Sequence, residues 1–277
     1  MTLKGSRWRI STAAAVAAAA GALLKDPGSK LRAIGVFAGS ILFALATTWF
    51  NQIQEREDDG RLLRTKNRPL ARNTLPAIYA FLWAVCCLTL SFVILFIYGG
   101  WVAAGILLTA LVLYNGFYTL MKGRTMLALI PGAWAGAFPP LLGWVCAGGA
   151  MTERMPLIMF LLFFLWQVPH FWLAEDRNRL DYERACLPLP WRSFGDEHYL
   201  RVLAVWVMAY CVALTGLPAF RLVTSPEAQS AVICISAGLL IGLFRLGSRR
   251  PNLLFHFINS SMGVTCIIMV ADKMYRG

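Results

Sequence analysis

Apolar runs of about twenty residues, separated by short polar segments, recur along almost the whole chain. A bilayer core about 30 Å thick is crossed by roughly 20 apolar residues in helical form. Nine stretches read as spans, at about 10–24, 33–50, 77–98, 101–120, 126–147, 156–173, 200–220, 229–245 and 252–271. The first is short and rich in Ala. Helix is the form expected of such runs, because hydrocarbon offers no partner to an unpaired backbone N–H or C=O. The pattern predicts an all-α integral membrane protein with nine transmembrane helices in a single domain covering 1–277. Pro131, Pro139 and Pro140 predict a kink or break in the fifth span.

Composition supports this reading. Hydrophobic residues make up 58% of the chain, against about 45–50% in soluble domains. The net charge is +12, which in a soluble protein would suggest nucleic acid. Here topology accounts for it. With the N-terminus in the cytoplasm, 19 of the 26 Lys and Arg residues fall on the cytoplasmic side and 7 on the other, as the positive-inside rule requires. The expectation is a multi-pass protein of the cell inner (plasma) membrane, in contact with membrane lipids and with no nucleic-acid partner. The basic start (Lys4, Arg7, Arg9) before the Ala-rich run resembles a signal peptide, but the many later spans favour a retained first helix. The seven cysteines show no CxxC pair and no zinc spacing, and most lie in apolar runs as small buried residues.

The acids need a separate cause. Ten of the 14 fall in two segments on the predicted cytoplasmic side, around Glu55–Asp59 and Glu175–Glu197. Asn51, Glu55 and Asp59 are spaced i, i+4, i+8, which stacks three oxygen-bearing side chains on one helix face. Hard oxygen ligands of this kind suit Mg²⁺, which binds through one or two carboxylates and substrate phosphates. Arg64, Lys66 and Arg68 follow directly and can neutralise a diphosphate, with Arg61 and Arg72 extending the patch.

An Asn-x-x-x-Glu-x-x-x-Asp motif at the end of the second of nine helices resembles the UbiA superfamily of membrane prenyltransferases. Arg64-Thr65-Lys66-Asn67-Arg68-Pro69-Leu70 is similar to the heme O synthase branch of that superfamily. So are Tyr118-Thr119 with Lys122 and Arg124, the run from Gly132 to Trp144, Trp166-Gln167-Val168-Pro169-His170-Phe171-Trp172, and Asp181-Tyr182. The chain departs from the branch at Leu180, where a second acid is usual, at Cys186, and at Arg7-Trp8-Arg9.

The resemblance implies a UbiA-type bundle with its active site at the cytoplasmic side, and Mg²⁺-dependent transfer of a farnesyl group from farnesyl diphosphate to a vinyl group of heme B. It implies two Mg²⁺ ions, one on Asn51, Glu55 and Asp59 and one on Asp181, with Asp176 a candidate for the missing acid. Arg64, Lys66, Arg68, Lys122 and Arg124 would bind the diphosphate. His170 and His256 are the heme-binding candidates. His170 is also open to a structural role at the membrane interface or to proton transfer, and His256 is the weaker of the two. Heme A synthase or a terminal oxidase is implied as an assembly partner. Other readings are a UbiA-type enzyme with another aromatic acceptor such as a quinone precursor, a non-catalytic transporter, and a repurposed paralogue. Against the transporter, the charges cluster at a rim and not near the midplane.

Overall fold

The computed structural model describes residues 8–246 and 250–276, and among these there are helices and no strands. The N-terminal cations Lys4 and Arg7 lie outside the described residues. In chain order the α-helices are α1 (Trp8–Lys25), α2 (Lys30–Gln54), α3 (Arg56–Arg61), α4 (Ala77–Leu111), α5 (Thr119–Met121), α6 (Leu129–Cys146), α7 (Arg154–Asp176), α8 (Arg179–Arg184), α9 (Pro190–Phe194), α10 (Asp196–Gly216), α11 (Pro226–Leu246) and α12 (Pro251–Arg276). A π-helix, Val112–Tyr118, continues α4 into α5, and a 3₁₀ turn, Met126–Ala128, leads into α6.

Seven helical segments are long and apolar enough to cross a membrane. One of them, Ala77–Met121, has 45 residues, and its contacts show that it doubles back. On the way out, Phe81 meets Phe50 at 5.9 Å between ring centroids, Ser91 Oγ donates to the Gly39 carbonyl at 2.8 Å, and Tyr98 lies over Gly35. On the way back, Asn115 Nδ2 donates to the Thr47 carbonyl at 3.0 Å and Asn51 Nδ2 donates to Thr119 Oγ1 at 3.1 Å. The reversal falls at Gly99–Gly100. Gly100 adopts φ 57°, ψ −148°, a conformation closed to residues with a Cβ. The two stretches 77–98 and 101–120 therefore form an antiparallel pair flanking α2.

Small residues set the closest approaches, as is usual where helices pack without a hydrophobic driving force. Gly143 of α6 lies directly against the Ala18 carbonyl of α1, and Gly21 of α1 against the Pro140 carbonyl. This explains why the short α1 is Ala-rich: Ala15, Ala18 and Ala22 are at most 2% exposed. Large apolar side chains face outward instead, among them Ile97, Trp101, Val212 and Phe244. The break expected in the fifth span is absent, since α6 runs unbroken through Pro139 and Pro140. Pro131 sits in the first turn, where its missing N–H leaves no intrahelical bond unmade. Interior prolines are tolerated in membrane helices whose neighbours hold them.

Candidate functional site

At one end of the bundle the C-terminus of α2 and the short α3 form one nearly continuous helical ramp. Glu55, between them, has φ −92°, ψ 9°, but the i to i+4 ladder persists. Glu55 N donates to Asn51 O and Asp59 N donates to Glu55 O, both at 2.8 Å. The predicted stacking follows: Asn51, Glu55 and Asp59 are 0, 7 and 3% exposed, while Arg56, Glu57 and Asp58 on the opposite face are open to solvent.

Each buried acid is met by a cation from another segment. Arg68 Nη1 donates to Asp59 Oδ2 at 2.5 Å, and Lys122 Nζ donates to Glu55 Oε1 at 3.3 Å. The loop carrying Arg64, Lys66 and Arg68 is pinned from two sides. Thr65 Oγ1 donates to the Asp59 carbonyl at 2.9 Å, and the Leu63 and Arg64 backbone amides donate to the Asp181 carboxylate at 2.7 and 3.1 Å. Arg64 Nη2 also reaches the Tyr182 hydroxyl at 3.1 Å. Lys66 and Arg124 are exposed. All five predicted cations thus belong to one rim, two of them joined to the buried acids.

The π-helix explains how Lys122 arrives there. Such wide turns are uncommon and often mark functional sites. This one places Asn115 between Thr47 and Gln54 of α2: Asn115 Nδ2 donates to Gln54 Oε1 at 3.2 Å, and Gln54 Nε2 donates to the Asn115 carbonyl at 3.0 Å. Sequence reasoning missed Asn115. Its signal was an amide in an otherwise apolar run.

The acids of the second segment separate. Asp181 clamps the cationic loop, as described. Asp176 turns the other way, to the Tyr199 hydroxyl at 3.4 Å and to Arg179 at 4.0 Å. Among the described residues, no three His, Cys, Asp or Glu side chains converge to hold a metal, so Asp181 and Asp176 do not join Glu55 and Asp59. The donor set on α2 does fit a hard cation. The Asn51 side-chain oxygen is buried without a hydrogen-bond partner, on the same face as two carboxylates, and such an acceptor is costly unless a donor or cation satisfies it.

A row of aromatic rings leads from this rim into the bundle. Lys122 lies over Tyr118, which stacks on Tyr114 at 5.3 Å and touches Phe171 at 5.4 Å. Beyond Phe171 is His170, boxed by Trp166 at 4.8 Å and Phe255 at 5.3 Å. The protonation of His170 is fixed by its partner. Asn259 Nδ2 donates to the Phe255 carbonyl at 2.7 Å, so Asn259 Oδ1 faces His170 Nδ1, also at 2.7 Å. Nδ1 must then carry the proton, which leaves the Nε2 lone pair free. His256 is exposed on α12 and only edges Phe255.

The sequence model described as the UbiA prenyltransferase family matches residues 10–261. A protoheme IX farnesyltransferase of Oleidesulfovibrio alaskensis is 36% identical over 97% of this chain and 94% of its own. One from Nitratidesulfovibrio vulgaris (strain DP4) is 33% identical over 97% and 93%. Among solved structures, a UbiA homolog from Aeropyrum pernix K1 superposes with a TM-score of 0.77 at 16% identity, covering 98% of both chains. A UbiA homolog from Archaeoglobus fulgidus bound to GPP and Mg²⁺ gives 0.69 at 14% identity, covering 96% of both.

Proposed function

From the premise that the chain belongs to the UbiA prenyltransferase family, and is a prenyl-transferring enzyme, we propose that it moves a farnesyl group from farnesyl diphosphate to a vinyl carbon of heme B, forming heme O. The observation that carries this is the buried face of Asn51, Glu55 and Asp59, met by Arg68 and Lys122 and joined by an aromatic row to His170.

In this reading all nine predicted spans cross the plasma membrane, with the doubled 77–121 segment counted as two and α1 as the first. The rim lies on the cytoplasmic side with the N-terminus. Asn51, Glu55 and Asp59 hold Mg²⁺. When bound, the metal stabilises charge on the departing diphosphate. A second ion near Asp181 has less support, because that carboxylate already accepts two backbone amides.

Arg64, Lys66, Arg68, Lys122 and Arg124 bind the diphosphate oxygens, and Asp181 sets the first of them by fixing its backbone. As the C1–O bond breaks, its electron pair leaves with the diphosphate, so preorganised cations lower the barrier. Tyr114, Tyr118 and Phe171 offer π faces to the allylic cation and exclude water until the vinyl carbon attacks C1. Water then adds to the new cation beside the porphyrin and loses a proton. His170 would hold the heme through the Nε2 lone pair, as a ligand to the iron.

The deciding experiment incubates purified protein with heme B, farnesyl diphosphate and Mg²⁺, and looks for farnesylated heme by mass spectrometry. The expected product is lost on adding EDTA. No product under conditions where both substrates bind would refute the heme assignment and direct a screen of other aromatic acceptors.

Asn259 gives a sharper test of the heme end. Asn259→Leu keeps the number and branching of side-chain heavy atoms but frees the His170 tautomer. Turnover should fall about 10–100-fold, as when a ligand loses the partner that orients it. The KM for farnesyl diphosphate should stay unchanged, and the absorption spectrum of bound heme should shift. An unaltered heme spectrum in Asn259→Leu would show that Nε2 of His170 does not meet the heme.

A further inference from the structure

The end of the bundle opposite the acids carries a second concentration of charge. Lys25 closes α1 and Arg154 opens α7, whose far end is Asp176. The 23 residues of α7 separate the two ends by about 1.5 Å per residue, on the order of 30 Å. There Lys25, Arg154, Arg221 and Lys273, with the acid Glu153, line a cavity of about 530 Å³ together with Trp144 and Phe220. That volume lies within the range of small-molecule pockets, about 300–1,000 Å³.

Charge balance shows what is left over. Lys25 is committed: its ammonium lies 3.2 Å from Glu153 and 5.1 Å from the Trp144 ring centroid. Glu153 stays ionised, since the Ala150 backbone N–H and then Lys25 hold its carboxyl below the usual range. Asp272, beside Lys273, accepts from Thr224 N, Thr224 Oγ1 and Ser225 N. Arg154, Arg221 and Lys273 make no ion pair among the described residues. Three cations with no acid paired to them among the described residues, at the end where, in the proposed orientation, the positive-inside rule disfavours them, call for an anion from outside the chain.

Arg221 supplies an independent observation. It sits at φ 59°, in the turn after α10 where Leu222 N donates to the Leu217 carbonyl at 3.1 Å. This is the helix-ending turn in which Gly is the usual residue. Arg pays a steric cost in that conformation that Gly does not, and strain of this kind persists where a side chain is needed at that place.

We propose that this cavity binds the headgroup of an anionic phospholipid. Arg154, Arg221 and Lys273 would take the phosphate, and Trp144 and Phe220 the glycerol backbone and first methylenes. The mixture of cations and aromatic rings at a membrane surface suits an amphiphile whose charged end is a phosphate.

The test uses the full chain in detergent, with native mass spectrometry after adding phosphatidylglycerol or phosphatidylcholine. Wild type should retain phosphatidylglycerol selectively. Arg221→Gly relieves the backbone strain, so its fold should be no weaker. Yet it should bind phosphatidylglycerol about tenfold less tightly, the cost of one charge-assisted hydrogen bond. Arg154→Gln should act alike, whereas Arg32→Gln, outside the cavity, should change nothing. Equal retention by wild type and Arg221→Gly would overturn the proposal, as would equal retention of phosphatidylcholine. Displacement by inorganic phosphate as readily as by lipid would identify a free-phosphate site instead.

Discussion

Asp59→Ala should lower prenyl transfer by on the order of a thousandfold, the scale of losing a charged group that organises transition-state stabilisation. Asp59 is 3% exposed and is shared between two tasks. Its carbonyl holds Thr65 and its carboxylate holds Arg68. Alanine keeps the first and removes the second. In the proposed reading it thereby takes away a metal ligand and releases a diphosphate-binding arginine together. Breaking a nearly buried pair also costs stability, about 3–5 kcal/mol, so thermal unfolding must be followed beside turnover. Asp59→Asn separates the effects, since an amide oxygen still accepts from Arg68 but carries no charge for Mg²⁺. A folded Asp59→Asn protein should bind farnesyl diphosphate weakly and show little response to Mg²⁺. Near-normal, Mg²⁺-stimulated turnover in either variant would eliminate Asp59 as a ligand.

Gly143→Val should be the most damaging substitution away from the site. A Cβ on Gly143 would collide with the Ala18 carbonyl and come within 2.9 Å of Ala22 N. Both are backbone atoms that no rotamer change can clear. Helix α1 would have to back away from α6, opening the contact that Gly21 and Pro140 make nearby. Overpacking costs typically 1–3 kcal/mol where side chains can adjust, and backbone against backbone adjusts least. The expected result is a lower thermal midpoint in detergent. Gly105→Ala serves as the control, because nothing lies within 4 Å of a Cβ there. It should be neutral or slightly stabilising, as Ala is in a helix interior. A Gly143→Val protein as stable as Gly105→Ala would show that α1 and α6 do not meet so closely.

How much of this was legible in the sequence depended on the range of the interaction. The apolar runs located the membrane helices to within a few residues, because hydrocarbon thickness fixes their length. The gap left between the stretches 77–98 and 101–120 falls where the Ala77–Met121 segment turns back. The i, i+4, i+8 spacing brought Asn51, Glu55 and Asp59 to one face, since a helix enforces that locally. The partners of those acids were not legible: Lys122 lies 67 positions from Glu55, and only tertiary packing joins them. The same holds for Asn259, 89 positions from His170. Asp176 and Glu175 are neighbours with equal claims in the sequence. Helix rotation alone turns Asp176 toward Arg179 and Tyr199 and points Glu175 about 100° away from it. For Pro139 and Pro140 the local rule named a kink or a break, and the continuous α6 excludes the break.

The π-helix at Val112–Tyr118 carries a consequence of a different kind. A wide turn is an α-helix that has accommodated an extra residue, and one residue rotates everything downstream by about 100°. Thr119 and Lys122 face Asn51 and Glu55 only after that rotation. In an uninterrupted α-helix of the same length, both would point elsewhere. The meeting of the two halves of the site therefore hangs on the parity of one codon. Such a change enters a gene as a single in-frame insertion, with no intermediate that is half rotated.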